Sequence, residues 1–412
     1  MQDAALAPNA SASRRPCCAA QTVYFDYNAT TPLDPRVREE MLPFLGEVWG
    51  NPSSVHHMGR RCRSFLDDAR ERAAAVLGCN PSELIFTSGG TESVNLAIFG
   101  AARALKRKGR HIITSAVEHH AVLDACDYLA RNEGFDVTRL PVDHEGRVAP
   151  ENLASALRCD STLVSIMAAN NEIGTLQPVA ELGAVCRSQG VIFHTDAAQW
   201  FGKEQFESIH QFNADLVSIC AHKLHGPMGA GVLFAKSTLR LEPILFGGGH
   251  EDERRAGTEN LPAIIGLAAV LERFVKPPVF PRERLLTLTN RLLDFLDTVP
   301  GVQSLGSRDQ RLANTVAFCV PTTDSISLLA NLDIDGICAS SGAACSASSP
   351  EPSHVVRALG LSERHARSLI RLSLGRETSD AEVAHFERLL PAIIHRASCH
   401  LTASSPGRRP PR

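Results

Sequence analysis

His194-Thr195-Asp196-Ala197-Ala198-Gln199, followed by Ala221-His222-Lys223, is the stretch whose reading decides the fold. Val191-Ile192-Phe193 ahead of it is a short apolar run that reads as a buried strand, which places Asp196 just past a strand end. Leu216-Val217-Ser218-Ile219-Cys220 is a second such run and delivers His222 and Lys223 at its own end. Loops at the carboxyl ends of strands in an open α/β sheet are where ligands bind. An Asp on one loop and a Lys on the next suit pyridoxal 5′-phosphate (PLP). The amine condenses with its aldehyde, and the carboxylate keeps the pyridine nitrogen protonated so that the ring accepts electrons. Taken singly, each residue reads more readily as an ordinary surface charge.

Working outward, Leu84-Ile85-Phe86-Thr87 reads as a strand and Ser88-Gly89-Gly90-Thr91-Glu92-Ser93 as a turn into a helix to about Leu105. Free N–H groups and the positive dipole end make such a helix start a phosphate site; a plain turn capped by Ser88 or Thr91 explains it equally well. Strands at His111–Thr114, Leu163–Met167 and Val191–His194 alternate with helices at Ala121–Arg131 and Val179–Ser188. That alternation predicts a mostly parallel sheet covered on both faces. The loops between carry Glu118-His119-His120 and Asn170-Asn171-Glu172-Ile173-Gly174. The first lacks a third ligand at metal-site spacing and better suits an imidazole stacked on a planar cofactor. Past Lys223, Gly229–Phe234 reads as another strand and Leu261–Phe274 as a helix that ends at Lys276-Pro277-Pro278, the expected domain boundary.

The 412 residues, 44% hydrophobic and 21% charged, leave room for two domains. Residues 1–22 read as a disordered extension, 23–275 as a large ligand-binding domain whose first residues pack on the small one, 276–400 as a small α+β domain, and 401–412 as a disordered tail. A net charge of −3 and the lack of a long apolar run argue against nucleic acid and membrane partners. Twelve cysteines without a CxxC pair suit a reducing compartment, so a cytoplasmic location is expected. Among them Cys345 stands in Ala339-Ser340-Ser341-Gly342-Ala343-Ala344-Cys345-Ser346, a small-residue loop with no bulky apolar neighbour to bury it. A reactive thiol needs such a tether. Arg371, read in a strand within Leu369–Arg376 among apolar neighbours, needs an anion: a substrate carboxylate or a structural acid.

Asp-Tyr-Asn-Ala-Thr-Thr-Pro (26–32), Gly-Asn-Pro-Ser-Ser (50–54), Ser-Gly-Gly-Thr-Glu-Ser (88–93), Asn-Asn-Glu-Ile-Gly-Thr (170–175), His-Thr-Asp-Ala-Ala-Gln, Ala-His-Lys, Arg-Ala-Gly-Thr-Glu-Asn (255–260) and Ser-Ser-Gly-Ala-Ala-Cys (340–345) occur in one order. Together they resemble the cysteine desulfurases of the NifS/IscS type, within the class-V aminotransferases, over roughly residues 23–396. The long loop around Cys345 resembles the group I branch. The resemblance implies a fold-type-I PLP-dependent transferase: a large domain with a mixed, mainly parallel sheet, a smaller α+β domain, and a homodimer with its active sites at the interface. By the same resemblance Lys223 holds PLP and later shuttles a proton, Asp196 pairs with the pyridine nitrogen, and His119 stacks on the ring. Gln199 and Asn171 bond the phenolic oxygen or substrate; Gly90, Thr91 and His222 bind phosphate, and Thr258 reaches the other subunit's cofactor. Arg371 clamps the carboxylate and Cys345 is the nucleophile. Cys220 stands where the family usually places a phosphate-binding Ser, and a thiol is the weaker donor.

The implied reaction removes sulfur from L-cysteine, giving alanine and a Cys345 persulfide, with sulfur passed to an iron–sulfur scaffold or another thiolation acceptor. Cys345 is also a candidate transient ligand for iron in such an assembly. A thiol of pKa ~8.5 needs help to ionise near neutrality, and His119 is expected to supply it. Selenocysteine lyase, a PLP aminotransferase and a catalytically dead docking scaffold are the competing readings; the joint presence of Lys223 and Cys345 argues against the last.

Overall fold

The computed structural model describes residues 22–342 and 351–403. Most of the two expected terminal extensions and the residues around Cys345 lie outside that range. The last helix, Asp380–Ala403, runs three residues into the stretch expected to be tail.

After a short opening strand, β1 (Val23–Tyr24), comes a seven-stranded sheet. Its strands are β2 (Leu84–Thr87), β3 (His111–Ser115), β4 (Asp136–Leu140), β5 (Ser161–Ser165), β6 (Ile192–Asp196), β7 (Leu216–Cys220) and β8 (Gly231–Ala235). They lie in the order β2-β8-β7-β6-β5-β3-β4. β4, β3, β5, β6 and β7 run parallel, whereas β8 is antiparallel to both β7 and β2. The link from β7 to β8 is too short for a crossover helix, so the chain must turn back on itself. In β3, Ile112 packs on one face and Ile113 on the other; Leu163 and Val164 in β5 and Leu216 and Val217 in β7 divide the same way. Unbroken apolar runs are what burial on both faces demands.

Asp196 is the last residue of β6 instead of the first after it, because pairing with β7 continues through Asp196 opposite Ser218. β4 has no counterpart among the expected strands. Its Asp136, Thr138 and Arg139 are exposed or half-buried, the polar character of an edge strand.

The remaining strands are β9 (Gln303–Leu305), β10 (Thr315–Cys319), β11 (Ile337–Cys338) and β12 (Leu369–Ser373). β12, β10 and β9 form an antiparallel sheet, and β1 pairs with β11 in parallel. Val23 and Phe25 join the core of this smaller unit with Phe280, Phe318 and Phe386. Val279 packs against both this core and one of the large sheet's cores. No helix among the described residues is long and apolar enough to cross a membrane.

Candidate active site

One cavity at the carboxyl ends of β5, β6 and β7 is lined by Gly90, Thr91, His119, Asn171, Asp196, Gln199, Cys220, His222, Lys223 and Arg371, with Asn28 beside them. Of the residues expected at a site, Thr258 is not among them: it is exposed on a neighbouring recess with Ser88 and Arg255. Cys345 lies outside the described residues.

The helix Gly90–Leu105 begins at Gly89, and no side chain caps it. Neither Ser88 nor Thr91 plays the capping part that a plain turn would give it. The N–H groups of Gly90 and Thr91, which line the cavity, have no partner among the described residues, as an anion site requires. A β-carbon on Gly90 would stand 3.7 Å from that of Cys220 and 3.9 Å from that of Ala198. Gly90 thus keeps open the floor of this cradle. Burial pushes the Cys220 thiol up, so an uncharged S–H faces the cradle and does not repel an anion.

Asp196 is nearly buried, and its Oδ1 accepts from the Ala198 N–H at 2.9 Å. Lys223 is half-buried just past the end of β7, and its side-chain amine makes no hydrogen bond among the described residues. His119 caps the helix His120–Glu133, its Nδ1 accepting from the Ala121 N–H at 3.1 Å. That contact leaves the ring proton on Nε2. Burial and then the Lys223 charge push the imidazole down to about 4, so it is neutral at pH 7. His222 is likewise pushed down to about 4 by burial, and its Nδ1 lies 3.2 Å from Thr30 Oγ1. Behind His119, fully buried Glu118 accepts from Ser115 Oγ at 2.6 Å and from the Met167 N–H at 3.0 Å; burial raises it to about 8.

From the small domain, Arg371 reaches in on β12. Its Nη2 donates to Asp26 Oδ1 at 2.7 Å, and its Nη1 donates to the Asn171 carbonyl at 2.9 Å and to the Gly342 carbonyl. Its Nε is buried without a partner. Described residues on both sides of Cys345 meet at Glu172. Ser353 Oγ donates to Glu172 Oε2 at 2.6 Å, and Gly342, at φ 96°, packs so closely that an added β-carbon would stand 2.9 Å from the same oxygen.

Two residues escaped the sequence reading. Asn28 accepts at Oδ1 from Lys203 Nζ at 2.6 Å and from Asn314 Nδ2 at 3.0 Å, and its own N–H donates to Ser373 Oγ at 2.9 Å. It ties the segment after β1 to both domains. Lys203 is fully buried four residues after Gln199, a helical spacing that hints at contact, but a lone lysine carries no other signal.

An uncapped helix N-terminus for a phosphate, a carboxylate at one strand end, a free amine at the next and an imidazole opposite fit PLP. Among the described residues no group of His, Cys, Asp and Glu is placed to hold a metal ion. Fold and cavity together define a PLP-dependent enzyme of the fold-type-I class. Within that class the chain belongs to the class-V aminotransferase family, whose profile matches residues 23–386. It is 44% identical over 375 residues to a cysteine desulfurase IscS of Dictyoglomus turgidum, covering 91% of this chain and 95% of that one. Among solved structures, a NifS-like protein superposes with a TM-score of 0.84 at 37% identity, covering 91% of this chain and 99% of that one. SspA in complex with cysteine superposes at 0.76 with 34% identity, covering 87% and 100%.

Proposed function

We propose that this chain is a PLP-dependent cysteine desulfurase that takes sulfur from L-cysteine. The observation that carries the reading is Asp196 and Lys223 at the ends of adjacent parallel strands, beside an uncapped helix start and under Arg371.

Lys223 would hold PLP covalently, Asp196 its pyridine nitrogen, and Gly90, Thr91, His222 and Cys220 its phosphate, with Gln199 on its phenolic oxygen. Bound there, PLP supplies an electron sink for the negative charge left when the substrate loses its α-proton. The Lys223 amine would serve as the base for that proton. Arg371 receives the substrate carboxylate, and Asn171 flanks it. The Cys345 thiolate would attack the substrate sulfur: an S–S bond forms, the carbon–sulfur bond breaks with its electron pair kept on the β-carbon, a proton on that carbon completes alanine, and a Cys345 persulfide stays behind. His119 takes a narrower part than a thiol base. Its Nδ1 is engaged and its Nε2 already carries a proton, so accepting another means giving up the helix cap. Stacking and N–H donation are what its geometry supports.

Exposed Thr258, and the exposed apolar side chains Trp49, Val55, Met228 and Phe246, suit a second copy that completes the site. A sulfur acceptor such as an iron–sulfur scaffold then draws on the persulfide, and the eight free thiols among the described residues suit a reducing cytoplasm. The test is alanine and sulfide release from L-cysteine, with and without dithiothreitol, for wild type and Cys345→Ala, with L-selenocysteine in parallel. Loss of cysteine turnover in the variant, with the PLP absorbance kept, supports the reading. Turnover of selenocysteine alone overturns it in favour of a lyase.

A further inference from the structure

Lys203 is a second lysine beside the cavity, and the mechanism makes no use of it. It is 2% exposed, and its Nζ donates to Gln199 Oε1 at 2.5 Å and to Asn28 Oδ1 at 2.6 Å, with the Phe280 ring centroid 5.4 Å away. Among the described residues it forms no ion pair. Gln199 is also nearly buried, and its Nε2 donates to the Asn28 carbonyl at 3.0 Å.

These contacts leave the Gln199 amide one orientation. Turned over, its NH2 would face the Lys203 donors and its oxygen would face the Asn28 carbonyl, two repulsive contacts in a dry place. With Oε1 turned toward Lys203 and one N–H given to Asn28, the donor the amide keeps for the cavity is its second N–H. We propose that Lys203 is a positioning residue that locks Gln199 as a hydrogen-bond donor toward the cofactor. The inference rests on Gln199 being the partner of the PLP phenolic oxygen. Burial and the nearby Lys223 and Arg371 charges push Lys203 down from the ordinary lysine range, but the lock needs only two N–H groups, which amine and ammonium both supply.

An N–H donor on the phenolic oxygen stabilises its anion. Without that donor, the proton shared between this oxygen and the Lys223 nitrogen is held more tightly. The experiment is a pH titration of the visible absorption of the PLP-loaded enzyme. Lys203→Met is expected to raise the midpoint by about 0.5–1 pH unit. Gln199→Met should raise it equally, and the double variant no further, as two residues acting through one bond require. Lys203→Gln, which keeps two N–H donors without a charge, should stay within about 0.3 unit of wild type.

An unmoved midpoint in Gln199→Met overturns the reading of Gln199, and the proposal with it. A shift there but none in Lys203→Met overturns the proposal alone, as do additive shifts. A Lys203→Gln midpoint as displaced as that of Gln199→Met assigns the effect to lost charge and also overturns it. Should Lys203→Met fail to fold, the comparison of Lys203→Gln with Gln199→Met decides by itself.

Discussion

On the large-domain wall of the cavity, His119, Asp196 and Gln199 are each held by settled partners. His119 accepts from the Ala121 N–H, Asp196 from the Ala198 N–H, and Gln199 lies between Lys203 and Asn28. On the small-domain wall, Arg371 spreads two nitrogens over Asp26 and the Asn171 and Gly342 carbonyls, and leaves its buried Nε with nothing. The first wall needs no rearrangement to receive a resident group, and preorganised sites gain their strength that way. The second is over-committed at one edge and unsatisfied at another, so an arriving carboxylate can exchange partners there. Because one of those partners is Gly342, where the cysteine-bearing loop begins, such an exchange would be felt at the base of that loop.

The sharpest break of this contrast removes the reacting groups from each side. Lys223→Ala is expected to lower cysteine turnover by about 10⁴-fold or more and to abolish covalent PLP retention. Cys345→Ala should lower sulfide release about as far and yet keep the bound PLP spectrum. Absorbance spectra and single-turnover alanine assays separate the two. Loss of the PLP spectrum in Cys345→Ala would mean that the thiol supports the settled wall as well.

Arg371→Lys keeps a charge but loses the planar fork. The expected result is a KM for L-cysteine about tenfold to a hundredfold higher, with a smaller change in kcat. Asp26→Asn tests the other half, since it strands a guanidinium that is only 1% exposed. It should cost about 3 kcal/mol of folding stability by urea unfolding of the apoprotein. An Asp26→Asn chain as stable as wild type would show that the carbonyls alone satisfy Arg371, and the over-commitment argument would fail.

The large domain around this wall also has a pH signature. His119, His194, His222 and His225 are each pushed down to about 4, in every case chiefly by burial. Their folded values lie below the unfolded one near 6.5, so the unfolded chain binds more protons between the two. Their stabilisation is therefore full above about pH 6.5 and lost as pH falls toward 4, at about 1–3 kcal/mol per ring. Glu118, raised to about 8, works in the opposite sense: its contribution is full below about pH 4.5 and fades as pH rises through 8. Urea midpoints of the apoprotein from pH 4 to 8 should fall on the acid side. His194→Gln, which removes a ring held between Ser165 Oγ at 2.8 Å and Ser218 Oγ at 3.0 Å, should make that limb shallower. An acid limb unchanged by His194→Gln would show that this ring is not held neutral by the fold.

The same contrast explains what the sequence made legible. Apolar runs such as Leu216–Cys220 are dictated by burial on both faces, and the turn Ser88–Ser93 into a helix by its small residues; both elements read directly. Partnerships across the fold do not read this way. Arg371 could be assigned a substrate or an acid with equal right, and the structure shows Asp26, 345 positions away in the chain, already paired with it. Lys203 was silent because a buried lysine satisfied by two amides has no local pattern. β4 was missed because an edge strand carries polar residues in place of the signal that announces a core strand.

Cys220 gives the smallest expected effect and the finest test of the settled wall. A Ser at this place would offer the cradle an O–H, a stronger donor than the thiol. The β-carbon at this position already stands 3.7 Å from where one on Gly90 would be, so the smaller oxygen fits without displacing anything. Cys220→Ser should therefore tighten PLP binding about twofold to tenfold, the share of about 0.5–1.4 kcal/mol that one modest hydrogen bond supplies. Dissociation of PLP from the reconstituted protein, followed by dialysis against a competing aldehyde trap, reads the change. Weaker binding in Cys220→Ser would mean that the thiol is used for its bulk, packing against the helix start, and that the backbone N–H groups of Gly90 and Thr91 carry the anion without help from β7.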